Sequence, residues 1–323
     1  MKNKRVLVTG GAGFIGSHLV KQLLASGAKV SVIVKYNSII DNIRLSSIWE
    51  EINVYEADLR NIDSLRQFKD MIFDYIFHLA AYNHVGDSFL HYNEALQSNT
   101  IATANLMEFL PSFGTFLYMS SSEVYGYQQI VPFREDSLPN PISPYAVGKY
   151  GGELFAKMKR LQTGAAIVCV RPFNTFGPYQ SERAVIPELI IKCLRGHLVK
   201  TTKGLQTREF NYVDDIVGGL ITAIQNHQIT EEVINLGSNK EISIVELVKE
   251  IHSETNSSSP LEIGALEGRP TEIPRMSADS SLARKKLMWK PKIPFVKGLR
   301  KTIDWYRKYI DLYYQSSSSL NQL

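Results

Sequence analysis

The sequence predicts an α/β chain, a doubly wound and mostly parallel sheet followed by a smaller C-terminal α/β lobe. Three observations carry this expectation. The chain opens on a β-branched apolar run, Arg5-Val6-Leu7-Val8, which meets a glycine turn and then a helical pattern. Further strand–helix units follow to about residue 173, and their strands are short and apolar, as strands covered on both faces are. After Asn174 the alternation breaks into turns and shorter elements.

The bulk composition sets outer bounds. A chain of 323 residues can bury a large core and form about two domains. Its 44% apolar and 21% charged residues are those of an ordinary soluble globular protein. A net charge of +4 is too small to argue for nucleic acid. The two cysteines, Cys169 and Cys193, lack metal or redox spacing, and Cys169 lies in an apolar run as inert core. The chain begins almost directly in its first strand, and no apolar stretch approaches a membrane span. The expected setting is cytoplasmic and reduced, without a membrane or nucleic-acid partner. Residues 1–173 with about 210–236 are expected to form the dinucleotide-binding unit. About 174–209 and 237–314 form the smaller lobe, and 315–323 (QSSSSLNQL from Gln315) a disordered tail.

Taken in order, the first strand ends at Thr9, and Gly10, Gly11, Gly13 and Gly16 follow before the helix Ser17–Ala25. Glycines allow a tight turn and a close approach of pyrophosphate to backbone, and the helix N-terminus offers free N–H groups to that anion. Gly10, Gly13, Phe14, Ile15 and Gly16 are therefore candidate cofactor residues. Lys29–Val34 reads as the second strand. No acid stands at its end for the adenosine ribose; Lys35, Tyr36, Asn37 and Ser38 do. A cation with small polar groups suits a 2′-phosphate, which favours NADP over NAD through Lys35, Asn37 and Ser38; the alternative is a solvated Lys35.

A third strand, Ile52–Ala57, ends at Asp58-Leu59, and a fourth, Tyr75–Ala81, ends in Leu79, Ala80 and Ala81, small enough for a cofactor to pass over the sheet. His78 lies inside that strand and reads as a satisfied core histidine; the same caution applies to His84 and His91. No histidine set has metal-ligand spacing, so no metal is expected. Glu94–Leu110 carries apolar residues at helical spacing, with Asn99 on it as a further cofactor candidate. The fifth strand, Phe116–Met119, ends in Ser120-Ser121-Ser122-Glu123. Ligands of a doubly wound sheet bind beyond the strands' carboxyl ends, so these residues share a crevice with the glycine turn. Tyr145 opens a helix to Leu161, and Ala165–Val170 is the sixth strand. Beyond it come helices over Val185–Arg195, Asp214–Gln225 and Ser243–Ser253, the last with Ser243 as N-cap and Glu246 three residues on, and a final helix Gly298–Tyr309.

The sharpest chemical pair is Tyr145 and Lys149, which four residues apart share one helix face. A tyrosine is a poor base at neutral pH, but a neighbouring lysine cation and a positive nicotinamide ring stabilise its phenolate. It can then take a hydroxyl proton while hydride leaves the carbinol carbon.

Gly10-Gly11-Ala12-Gly13-Phe14-Ile15-Gly16, Ser121, Tyr145 and Lys149 together resemble the extended short-chain dehydrogenase/reductase superfamily, over nearly the whole chain. Ser121–Gly126 and Arg171–Pro178 are similar to its nucleotide-sugar branch. The resemblance implies a Rossmann sheet, a nucleotide-diphospho-sugar substrate, Ser121 on the sugar O4 and Asn174 near the phosphates. Ser121-Ser122-Glu123 resembles the Thr-Ser-Glu triplet of GDP-mannose 4,6-dehydratase. That implies that Glu123 takes the C5 proton of a 4-keto sugar, the C6 hydroxyl leaves as water, and the stored hydride returns to C6. Ser122, a further catalytic candidate, stands where related enzymes carry the aspartate that protonates the leaving hydroxyl; a serine is a poor proton donor, and the alternatives are that Glu123 serves both steps or that a water helps. The alternative for Glu123 is a hinge or hydrogen-bonding role, since UDP-glucuronate decarboxylases carry a similar Ser-Glu pair. Lys35–Ser38, Gln180–Pro187 (with Arg183 and Val185) and Thr207–Val213 (with Arg208) resemble the N-acetylglucosamine 4,6-dehydratases of the legionaminic pathway, a link to polysaccharide biosynthesis; Ile39–Arg44 departs from that pattern.

Arg183, Arg208 and Arg269 are candidates for the nucleotide diphosphate, because guanidinium forks match phosphate oxygens; each is otherwise a surface ion-pair residue. The expected activity is an NDP-sugar 4,6-dehydratase with tightly held, recycled NADP or NAD. A 4-epimerase or uronate decarboxylase on the same scaffold is the alternative, and a catalytically silent dinucleotide-binding regulator the alternative of another class. The resemblance also implies a homodimer through the Glu94–Leu110 and Tyr145–Leu161 helices, whose apolar stripes could equally cover the sheet.

Overall fold

The computed structural model describes residues 1–36, 44–109, 112–229, 233–268 and 272–318. Its centre is a sheet of β1 (Arg5–Thr9), β2 (Lys29–Val34), β3 (Asn53–Glu56), β4 (Phe73–His78), β5 (Phe113–Met119), β6 (Ala166–Pro172) and the strand Val233–Leu236. The order is β3-β2-β1-β4-β5-β6, with Val233–Leu236 outside β6, and every pairing is parallel. Parallel strands are covered on both faces, which is why Val6, Leu7 and Val8 are consecutive and all fully buried. The order reverses between β1 and β4. The loops after these two strands diverge there, and a crevice opens at the strands' carboxyl ends.

The helix α1 (Phe14–Ala25) covers one face and ends at Ser26, with Gly27 following at φ +78°. Within the sheet, β4 ends three residues earlier than its apolar run suggested, at His78. Leu79, Ala80 and Ala81 leave the ladder and enter the crevice wall. His78 is fully buried, its Nδ1 2.7 Å from Thr9 Oγ1 and its Nε2 2.9 Å from Thr103 Oγ1. Burial pushes its pKa down to about 3, so it is a neutral core group.

The expected helix Glu94–Leu110 is interrupted: Tyr92–Leu96 and Ala102–Phe109 are α-helical, and Gln97–Ile101 between them is a π turn. Periodicity does not reveal such a turn, and what accompanies it is tertiary. The helix Pro144–Thr163 lies so close that a Cβ on Gly148 would stand 2.9 Å from Ala95 O, and one on Gly152 2.9 Å from Asn99 O. Thr100 Oγ1 donates to Gly148 O across this contact at 2.9 Å. Ser143 caps the Pro144–Thr163 helix by accepting from Ala146 N, and Gly164 ends it at φ +69°.

The rest of the chain is built from short strands. Thr207–Glu209, Glu241–Ser243 and Arg275–Met276 form one small sheet, and Val199–Thr201 pairs with Leu261–Ile263. The fully buried Glu209 carboxylate knits this region by accepting from Asn211 Nδ2, Ser277 Oγ and the amides of Ser238, Asn239 and Ala278. Ser243 and Glu246 form the full capping box of the Ile244–Glu254 helix. The final helix runs Phe295–Ser318, beyond the expected Gly298–Tyr309, because no Gly or Pro interrupts it after Gly298. Residues 315–318, expected in a disordered tail, continue its backbone; 319–323 lie outside the described residues. No helix among the described residues is long and apolar enough to cross a membrane.

Candidate active site

The crevice has a volume of ≈ 780 Å³ and runs from the ends of β2 and β3, over the glycine turn, to the ends of β5 and β6. Gly10, Gly13, Phe14, Ile15 and Gly16 form its floor. Gly10 takes φ +68°, and a Cβ there would lie 2.7 Å from Ala80 N. A Cβ on Gly16 would lie 2.1 Å from Gly10 O, so only glycine lets the turn fold onto the start of α1. That helix start has no side-chain cap and no acid in its first turn, which leaves amide groups and a positive dipole end for an anion. The cradle therefore fits the pyrophosphate of a dinucleotide. Gly16→Ala is expected to cost about 1–3 kcal/mol by overpacking against backbone. Thermal melts check this, and a variant as stable as the parent contradicts the cradle.

At one end of the crevice stands a charged cluster. Lys35 Nζ lies 3.6 Å from Glu94 Oε1, and Arg60 Nη1 2.8 Å from the same oxygen. Arg60 also forks onto Asp58, and that hydrogen bond holds the Asp58 carboxyl below its usual range. Leu59 lines the wall beside them. Arg44 enters from the far side, donating to Tyr179 O and Ala12 O at 3.0 and 3.3 Å. Asn37 and Ser38 lie outside the described residues. Asn99 is buried rather than lining the crevice. Its amide clamps the loop after β4 by bonding both N and O of Tyr82 at 2.8 and 3.0 Å.

The other end gathers Ser121, Ser122, Glu123, Tyr145 and Lys149. Ser121 caps the short turn Ser122–Tyr125 by accepting from Glu123 N at 3.2 Å. It also hydrogen-bonds the Tyr145 phenol. Burial pushes that phenol up to about 12, the Ser121 hydrogen bond opposes the shift, and the Glu123 charge adds to it. Tyr145, Ser121 and Glu123 are thus electrostatic neighbours. Lys149 is 2% exposed, and its Nζ donates to Met119 O at 2.8 Å. Burial lowers its pKa to about 7, and the Glu153 carboxylate one turn on acts against that shift. Glu153 in turn forms a buried fork with Arg171 at 2.8 and 2.6 Å. Ser122 differs from its neighbours. Its Oγ donates to Met276 Sδ at 3.4 Å, and the residue is 3% exposed.

Asn174 lines the crevice with its Nδ2 buried and unpartnered, as is Oε1 of Gln180 beside it. Both atoms await a polar ligand. Arg183 reaches the crevice and pairs with Asp87 across it. Val185 starts the Val185–Leu194 helix and does not line the crevice. Arg208 does not line it either. Its guanidinium bonds Thr207 O, Ile273 O and the Glu272 carboxylate inside the small sheet, a partner 64 residues away that sequence reading does not reveal. Arg269 lies outside the described residues. Sequence reading also missed Arg44, Arg60, Tyr82, His84, Asp87 and Gln180, all on the crevice wall. The Asp58-x-Arg60 spacing carried a signal for one of them; the others come from loops whose path depends on the fold.

Residues 7–302 match the family model described as GDP-mannose 4,6 dehydratase. The chain belongs to this family. Its members here are the nucleotide-sugar dehydratases, epimerases and decarboxylases of the extended short-chain dehydrogenase/reductase group. Human dTDP-D-glucose 4,6-dehydratase is 33% identical over 94% of this chain and 90% of its own length. UDP-glucuronic acid decarboxylase 1 of Xenopus tropicalis is 33% identical over 95% of this chain and 73% of its own. The structure of UDP-glucuronic acid 4-epimerase from Bacillus cereus, in complex with UDP-glucuronic acid and NAD, superposes with a TM-score of 0.87 at 29% identity, covering 94% of this chain and 99% of that one. The family's relatives thus catalyse three different outcomes on one scaffold.

Proposed function

We propose that this protein is a nucleotide-sugar 4,6-dehydratase that forms a 4-keto-6-deoxy sugar with no net redox change. The observation that carries the reading is the carboxylate of Glu123 standing in the crevice against Tyr145, close enough to raise its pKa. A 4-epimerase has no use for a base there. Gly10, Gly13 and Gly16 hold the dinucleotide's pyrophosphate, with Phe14, Ile15, Leu79, Ala80 and Ala81 along it and Asn99 bracing the wall. Lys35 and Arg60, at the ends of β2 and β3, favour NADP at the adenosine ribose. When bound, the dinucleotide supplies the hydride acceptor for C4, the same hydride for C6, and a cationic ring that favours a nearby phenolate.

The chain's own residues do the rest. Ser121 orients the sugar O4, and Tyr145 takes its proton, aided by the Lys149 cation. With C4 a ketone, the C5 proton is acidic, and Glu123 takes it as the C6 hydroxyl leaves. Asn174 and Arg183 hold the diphosphate; Ser122, turned onto Met276, does not take part in proton transfer. The same two helices that pack through Gly148 expose Ile101, Leu154, Met158 and Leu161, which we assign to a homodimer interface.

Ser122 also favours a second reading. Decarboxylation of a 4-keto uronate needs no acid at a leaving hydroxyl, so a hydroxyl occupied by Met276 is no handicap to it. The two separate by product. GDP-, UDP- and dTDP-hexoses and UDP-glucuronate are incubated with NADP and NAD in parallel and followed by mass spectrometry. Loss of one water from a hexose supports the dehydratase; loss of CO₂ from UDP-glucuronate, or an isomer of unchanged mass, overturns it.

A further inference from the structure

Elimination across C5 and C6 needs a proton for the departing hydroxyl as well as a base for C5. The residue beside Glu123 cannot bring it: the Ser122 hydroxyl is held on Met276 Sδ, and a serine is a poor acid at neutral pH. Glu123 serves as the base, and several other ionisable groups on the crevice wall are already engaged. Lys35, Asp58, Arg60 and Glu94 are paired with one another at the ends of β2 and β3. Lys149 donates to Met119 O, and Tyr145 is engaged with O4 and Ser121. Asp87 is held ionised, first by the hydrogen bond from Arg183, so it has no proton to give.

One group on the wall is built to carry a proton. His84 opens the short helix Val85–Ser88, whose Ser88 Oγ accepts from Tyr145 N at 3.2 Å. His84 is thereby tied to the helix that carries Tyr145. Its Nδ1 accepts from Asp87 N at 3.1 Å and lies 3.3 Å from Asp87 Oδ1. The ring therefore has a partner in either state. Neutral, Nδ1 accepts the amide hydrogen and Nε2 bears the proton; protonated, Nδ1 donates to the carboxylate.

We propose that His84, oriented by Asp87, is the general acid that protonates the leaving C6 hydroxyl. This role rests on the dehydratase reading. The step balances. Glu123 receives the C5 proton, the C5–H electron pair forms the C5–C6 double bond, and the C6–O bond breaks with its pair on oxygen. The proton on His84 completes a water molecule, and solvent restores it. Sequence reading set His84 aside as a loop or helix-edge histidine, because nothing local marks the crevice wall.

The test uses the full-length enzyme and a 6-deoxy-6-fluoro analogue of the nucleotide hexose that the wild type dehydrates. Fluoride leaves without a proton. His84→Asn is expected to slow loss of water by about 100-fold or more, in the range of lost general-acid catalysis. Loss of fluoride should stay within a few-fold of wild type. Asp87→Asn, which keeps the shape and removes the charge, should shift the same ratio less. Equal loss of both reactions, or no loss of either, overturns the acid role of His84 while leaving the dehydratase reading intact. A wild-type enzyme that eliminates neither group overturns both.

Discussion

Tyr145→Phe is expected to lower turnover about 10²–10⁴-fold, the range of a lost general base, while the protein stays folded. The substitution removes one oxygen from a side chain 9% exposed and leaves the ring's packing in place. Its backbone amide keeps its bond to Ser88 Oγ, so the helix start is not disturbed. What disappears is the acceptor for the O4 proton. The structure also indicates how finely this acceptor is balanced. Burial, with the neighbouring Glu123 charge adding to it, holds the phenol at about 12, too high to ionise near neutrality. The Ser121 hydrogen bond acts in the other direction, and a lysine cation nearby favours a phenolate in the same sense. Lys149 is itself lowered to about 7, so its charge is lost as pH rises through that value and its help to Tyr145 goes with it. Lys149→Met should therefore resemble Tyr145→Phe at neutral pH, with a smaller loss. Steady-state rates with matched melting curves check the pair; a folded Tyr145→Phe variant with wild-type turnover contradicts the assignment of the base.

Glu123→Gln is expected to stop dehydration by a similar factor, about 10²–10⁴-fold, with a different residue of chemistry left behind. C4 oxidation depends on Tyr145, Lys149 and Ser121, which remain. In D₂O the wild type should place deuterium at C5, and Glu123→Gln should not. The substitution also removes the charge that raises the Tyr145 pKa, so the Tyr145 titration should move to lower pH in this variant. A merely structural Glu123 would change stability and leave both the C5 label and that titration where they were.

The sheet was legible because each parallel strand is a short apolar run closed by a turn. β2 matches its expected bounds, and β1 ends at Thr9 as its glycine turn requires. The π turn at Gln97–Ile101 was not legible, since it accompanies glycine-mediated contact with a helix some fifty residues on. At the site, the glycines, Ser121, Glu123, Tyr145 and Lys149 share one crevice, because motifs at strand ends converge wherever the sheet is parallel. Orientation was harder to read. Ser121-Ser122-Glu123 begins a tight turn after β5, so neighbouring side chains point to different places, and the Ser122 hydroxyl turns onto Met276. Arg208 sits in a motif of the right composition, and its partner Glu272 was invisible until the small sheet formed.

The central claim is that hydride leaves C4 and returns at C6 of one sugar while water departs between. A nucleotide hexose deuterated at C4, turned over by the enzyme and read by NMR, tests it most directly. The account predicts a product one water lighter, with the deuterium on its C6 methyl group. Deuterium retained at C4 of an isomer of unchanged mass would contradict it.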